Sequence, residues 1–183
     1  MATRLVIDGY GQLEINNCAF RRDGRIEAQC KPDATDFSNA VVENGMILAV
    51  DNVARTVKFA TDSSLPVALV YSAEHMYDER KPGLKNFYLN GENDFLPRLG
   101  FLSVGDKYTT NCIAYNSSEF ASESAFESAL DALDSTPLWA GVDANGAHLV
   151  SASAPSFGPK IRVIKKTTMP DGTLGLKMQV YVD

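Results

Sequence analysis

Hydrophobic residues along this chain occur in short runs that alternate with turn-forming residues. Residues 46–50 and 67–71 are continuous apolar runs, as expected of buried strands, whereas residues 12–15 alternate polar and apolar side chains. Glycine, asparagine and aspartate separate such runs at short intervals, which is typical of small barrels and sandwiches. The pattern therefore predicts a mainly β fold, a small barrel or sandwich of antiparallel strands.

Two turn motifs predict hairpins near the two ends of the chain. Asp23-Gly24 separates strand-like residues 18–21 from 25–30, and both residues of this dipeptide tolerate the positive φ angles of a tight turn. Residues 169–173 separate the last two strand-like segments in the same way. Pro32 closes the first unit, because proline cannot donate to a central strand ladder. We therefore predict an N-terminal β-hairpin arm, residues 1–35, and a β-rich core domain, residues 36–183.

One amphipathic helix is predicted near residues 117–133. Asn116 is a suitable N-cap, and Glu119 lies three residues later, as in a capping box. The Thr136-Pro137 dipeptide ends the helix, since the residue before proline avoids the helical region. The apolar residues that fall near one face are Phe120, Phe126, Leu130 and Leu133.

Residues 72–97 lack a regular pattern and are predicted to form a long loop inserted in the core domain. The segment is rich in charged residues, glycine and asparagine. Long surface loops of this kind often carry interactions.

Charge is unevenly distributed along the 183 residues, which carry 17 basic and 23 acidic side chains for a net −6. Residues 36–155 hold seven basic and sixteen acidic residues, a net −9, whereas residues 156–183 hold five basic and two acidic, a net +3. An acidic middle argues against nucleic-acid binding, which needs a basic face. The basic residues predicted to meet an acidic protein partner are Arg21, Arg22, Arg25, Lys165 and Lys166.

No residue pattern in the chain predicts catalysis or a cofactor. Cys18, Cys30 and Cys112 form no C-x-x-C pair, which favours buried reduced thiols over a disulfide framework or a zinc site. His148 is predicted to be a surface or hydrogen-bonded histidine at the start of a strand. His75 has acidic neighbours but no second histidine nearby, so a metal site or an unrecognised hydrolase centre there is a weak alternative. We expect neither enzymatic activity nor a bound cofactor or metal.

Four segments within residues 40–115 follow one another in a recognisable order. They are the turn Glu43-Asn44-Gly45-Met46, the strands at residues 56–59 and 66–71, and the turn Val104-Gly105-Asp106. In this order they resemble the small β-rich structural proteins of tailed bacteriophage particles, especially capsid decoration and head auxiliary proteins. The resemblance implies a noncatalytic subunit of the virion whose partner is the major capsid protein or another virion protein.

Further expectations are compatible with that resemblance. The first residues lack the basic-then-apolar layout of a signal peptide and no apolar run is long enough to span a membrane, so we expect assembly in the host cytoplasm and no membrane partner. A homo-oligomer is expected, with terminal strands contacting neighbouring subunits. The alternative is a carbohydrate- or receptor-binding β-module of a tail or fibre, with stacking aromatics at Tyr77, Phe87, Tyr88 and Trp139.

Overall fold

The computed structural model describes residues 3–4, 11–18, 20, 26–71, 88–89 and 96–181 of the chain. These residues form sixteen strands and one α-helix: β1 Thr3–Arg4, β2 Leu13–Asn17, β3 Ile26–Glu27, β4 Lys31–Pro32, β5 Val41–Val42, β6 Ile47–Asp51, β7 Thr56–Lys58, β8 Val67–Val70, β9 Tyr88–Leu89, β10 Leu99–Gly100, β11 Lys107–Thr110, β12 Ile113–Tyr115, α1 Glu123–Asp131, β13 Trp139–Val142, β14 His148–Ser151, β15 Ile161–Thr168 and β16 Leu174–Val180.

The strands form two large sheets and one small one. The eight-stranded sheet has the order β1-β12-β14-β13-β15-β16-β11-β2, and the six-stranded sheet has the order β3-β10-β8-β6-β7-β4. Strands β5 and β9 pair separately. Most neighbours are antiparallel, whereas β12 with β14 and β4 with β7 are parallel. The prediction of a mainly β, antiparallel-rich sandwich with one helix is confirmed.

The two large sheets pack face to face over an apolar core. One buried cluster joins Ile47 and Leu69 of the six-stranded sheet to Ile161, Met178 and other inward residues of the eight-stranded sheet. Strand β6 also buries Leu48 and Val50 on its other face, in a second cluster. Burial on both faces explains why residues 46–50 are apolar without alternation.

Residues near the N-terminus contribute strands to both large sheets. Strand β2 pairs with β11, strand β3 with β10, and strand β4 with β7. Each of these partners belongs to the region predicted as the core domain. The hairpin turn predicted at Asp23-Gly24 lies outside the described residues, as does most of the inserted loop at residues 72–97.

The helix is shorter than predicted because its N-cap is Ser122 and not Asn116. Ser122 is extended, and its side chain accepts a hydrogen bond from the backbone N–H of Ala125 at 3.2 Å. Asn116 instead begins a separate turn, in which the N–H of Phe120 donates to its carbonyl at 2.9 Å. Phe126 and Leu130 are buried as predicted, so the apolar face is correct although the helix starts later.

Glycine geometry confirms the turn predicted at residues 169–173 and marks a further turn between β13 and β14. Gly172, in the turn between β15 and β16, has a φ of +84°, and Gly146, between β13 and β14, has a φ of +78°. Both angles lie in the left-handed region that favours glycine. The carboxylate of Asp143 also accepts a hydrogen bond from the backbone of Asn145 at 2.9 Å, which stabilises the second turn.

Candidate functional site

Four cationic side chains share one face of the eight-stranded sheet, opposite the face that carries Ile161, Val163 and Met178. Lys165 lies directly opposite Lys177, while Lys107 and Arg162 lie on either side of Gln179. Successive side chains of a strand point to opposite faces, and the intervening residues of these strands are buried in the core between the sheets. We call Lys107, Arg162, Lys165 and Lys177 the cationic face.

A β-bulge decides which lysine of the predicted pair joins this face. The register of β15 against β16 shifts between Val163 and Lys165, and Ile164 is the extra residue. The shift turns Lys165 to the cationic face and Lys166 to the opposite side, toward the helix. The predicted contact residues Lys165 and Lys166 therefore lie on opposite faces of the sheet.

The pairing of Lys165 with Lys177 is electrostatically unfavourable in the isolated chain, although the exposed Glu14 lies on the same face, beyond Thr109. Like charges directly opposite each other on paired strands, as at Lys165 and Lys177, are destabilising. None of the four cations forms an ion pair with a described carboxylate. By contrast, the Lys166 ammonium lies 2.6 Å from the Asp131 carboxylate, and this hydrogen bond raises the pKa of Lys166. An anionic partner would therefore relieve repulsion at the cationic face.

Aromatic side chains border the cationic face. Trp139 lies opposite Arg162 in the strand register, and its ring meets that of Tyr181 edge to face at 6.2 Å. The Arg162 guanidinium lies over the Tyr181 ring, 5.6 Å from its centroid. This contact holds Arg162 in place while leaving its hydrogen-bond donors available for an anion.

Helix α1 presents acidic side chains on the other side of the eight-stranded sheet. Its buried residues Phe126 and Leu130 pack into the core cluster between the sheets. Glu123, Glu127 and Asp131 are exposed and spaced four residues apart, so they line one side of the helix. We call these three residues the acidic ridge.

The remaining predicted contact residues are not among those that the structure describes. Arg21, Arg22 and Arg25 lie between residue 20 and β3, outside the described residues. Sequence reasoning missed Lys107, Arg162 and Lys177, which lie in three strands. Each of them occupies a polar position in a strand of alternating polar and apolar residues, and this pattern predicts that its side chain points away from the core. Only the strand register shows that the three residues are neighbours.

His148 is fully buried, so the surface alternative of the prediction was wrong. It does begin a strand as predicted, but β14 lies inside the sheet between β12 and β13. Among the described residues, neither imidazole nitrogen has a well-formed hydrogen bond, nor does the hydroxyl of Tyr108, whose ring centroid lies 5.5 Å from that of His148. Burial lowers the pKa of His148 to about 4, and the Gly45 backbone only partly opposes this effect.

All three cysteines are free thiols, as predicted. Cys30 and Cys112 are buried, and Cys18 is partly buried with its Sγ 3.4 Å from the Lys107 carbonyl. Burial, reinforced by the Asp106 carboxylate, raises the pKa of Cys18 to about 12. Such a thiol is a poor nucleophile, because the thiolate is the reactive form.

The predicted stacking aromatics and His75 lie partly or wholly outside the described residues. Among the aromatics considered for glycan stacking, Trp139 is described with its side chain, Tyr88 lies in strand β9, and Tyr77 and Phe87 lie outside the described residues together with His75. Within the described ranges, no three His, Cys, Asp or Glu side chains are grouped so that they could hold a metal ion. No helix there is long and apolar enough to cross a membrane.

Comparison with protein-family models, with curated proteins and with solved structures gives no match to this chain.

Proposed function

We propose that this chain is a noncatalytic structural subunit of a bacteriophage particle, of the capsid decoration or head auxiliary kind. In this proposal it assembles in the host cytoplasm, resides in the virion and binds the major capsid protein or another virion subunit. The observation that supports the proposal most strongly is the cationic face, four cations on one face of the sheet that form no ion pair with a described carboxylate.

The physical setting of this face suits docking to a neighbouring protein. Strands β11, β16 and β15 are adjacent in the sheet and their inward residues are buried, so the cations stand on a rigid base. Opposite charges across an interface steer association and exclude wrong partners.

Binding to purified empty phage shells tests the proposal. Light scattering and co-sedimentation should show saturable binding of the chain at a fixed ratio to shell subunits, weakening as ionic strength rises. Lys165→Glu combined with Lys177→Glu should lower the affinity at least tenfold, while Lys31→Glu, an exposed lysine of β4, should leave it unchanged. Absence of binding to the shells at every salt concentration would overturn the proposal.

A second candidate is a glycan-binding β-module, favoured by Trp139 and Tyr181 beside Arg162. Aromatic faces stack on sugar rings, and Arg162 would hydrogen-bond to hydroxyl or carboxylate oxygens. A glycan array probed with the purified chain tests this function. Binding that disappears in Trp139→Ala but persists in Lys165→Glu would support it, and a silent array would remove it.

A further inference from the structure

We propose that the neighbour bound by the cationic face is a second copy of this chain, which docks through its acidic ridge. The inference rests on the proposed function in one respect, namely that the cationic face binds another subunit. It goes further by naming that subunit and the surface it uses.

The argument begins with the placement of the two charged surfaces. Helix α1 packs on the side of the eight-stranded sheet that carries Ile161, Val163 and Met178, and the cationic face is the opposite side. One copy therefore cannot bring its own acidic ridge to its own cationic face. Two copies can, in a head-to-tail contact that joins different surfaces of the partners.

The sizes of the two surfaces are compatible. The acidic ridge spans the nine residues from Glu123 to Asp131, about 12 Å along a helix that rises about 1.5 Å per residue. Lys107 and Arg162 stand two strands apart, about 10 Å at the usual strand spacing. A helix laid across strands β11, β16 and β15 would bring its carboxylates within reach of the four cations.

The acidic ridge is only partly neutralised within one copy. Asp131 pairs with Lys166, and Glu127 also interacts electrostatically with that lysine. Glu123 and Glu127 are exposed and form no ion pair with a described cation. The exposed apolar side chain of Ile164, at the bulge beside Lys165, adds apolar area next to the charges.

A head-to-tail contact has a consequence that a two-fold dimer lacks. Each copy keeps one free cationic face or one free acidic ridge after the first contact, so the contact repeats. The repeat ends in a ring if the rotation closes and in an open chain if it does not. Both outcomes give a mass that grows beyond the dimer.

Charge-reversal variants test the inference with the full-length chain. The sheet variant carries Lys165→Glu and Lys177→Glu, and the helix variant carries Glu123→Lys and Glu127→Lys. Light scattering at low salt should show an oligomer for the unchanged protein and a monomer for each variant alone. An equimolar mixture should recover at least twice the monomer mass, because the unchanged ridge of the sheet variant meets the unchanged face of the helix variant.

The control variant changes charges that lie on neither the cationic face nor the acidic ridge. Asp62→Lys with Lys31→Glu alters exposed charges away from both surfaces and should leave the oligomer intact. Circular dichroism and melting temperatures confirm that each variant is folded. A monomeric unchanged protein at low salt, an oligomer that survives either reversal, or a mixture that stays monomeric would each overturn the inference.

Failure of the inference and failure of the proposed function are distinguishable. If the unchanged chain is monomeric but still binds shells through Lys165 and Lys177, the proposed function stands and the second-copy partner is wrong. If the chain forms the oligomer but ignores shells, the self-contact stands and the proposed virion function is wrong.

Discussion

Replacing His148 should remove an acid sensitivity that its burial imposes on the fold. The imidazole is fully buried and forms no well-formed hydrogen bond with the described residues, and burial lowers its pKa from 6.5 to about 4. Between these two values the unfolded chain binds a proton at this position and the folded chain does not. The free energy of unfolding therefore falls as pH falls through this window.

The magnitude follows from the pKa difference. One pKa unit corresponds to about 1.4 kcal/mol, so the full effect of His148 is about 3 kcal/mol once the pH is below 4. Between pH 7.5 and pH 5 the loss amounts to about 2 kcal/mol. Above pH 6.5 the imidazole is mostly neutral in both the folded and the unfolded chain, so His148 adds little pH dependence to the free energy of unfolding there. Below pH 6.5 the unfolded chain becomes protonated at this position, and the free energy of unfolding falls progressively.

Urea unfolding at pH 7.5 and pH 5, followed by the fluorescence of the single Trp139, measures this loss. In His148→Leu, the change in unfolding free energy between the two pH values should be about 2 kcal/mol smaller than in the unchanged protein. Tyr108→Phe is the matched control, because it removes the neighbouring unpartnered hydroxyl and leaves the histidine. A His148→Leu variant with the same pH dependence as the unchanged protein would refute the assignment.

Three further predictions concern the stability of the fold. Phe126→Ala should lower the free energy of unfolding by about 3–5 kcal/mol, because the ring is fully buried, whereas exposed Glu127→Ala should change it by less than about 0.5 kcal/mol in urea titrations. Ser122→Ala should cost about 1 kcal/mol through loss of the N-cap, and Ser122→Asp should retain most of the stability in the same titrations. Gly146→Ala should lower the melting temperature more than Gly172→Ala. Both glycines have positive φ, but a Cβ at the first would lie 2.7 Å from a core side chain and one at the second meets open space. Equal melting temperatures for the two glycine variants would contradict that reasoning.

The sequence alone determined the local structure well. Residues 46–50 are apolar without interruption because β6 is buried on both faces, and the glycines at 146 and 172 mark turns because only glycine adopts positive φ readily. The apolar face of the helix was also evident from residue spacing. The first residue of the helix was not evident, because Asn116 and Ser122 are both suitable N-caps. In the folded chain the N-cap is Ser122.

The tertiary structure decided the arrangement of the candidate site. Lys107, Arg162 and Lys177 become neighbours only through the pairing of β11, β16 and β15, and strand pairing depends on contacts far apart in sequence. Local composition gives no sign of the bulge that sends Lys165 and Lys166 to their respective sides of the sheet. His148 is likewise buried because β14 lies between two other strands, although the residues around it read as a polar turn. The local sequence thus encodes periodicity and turns, whereas register, bulges and strand order are set by packing across the whole fold.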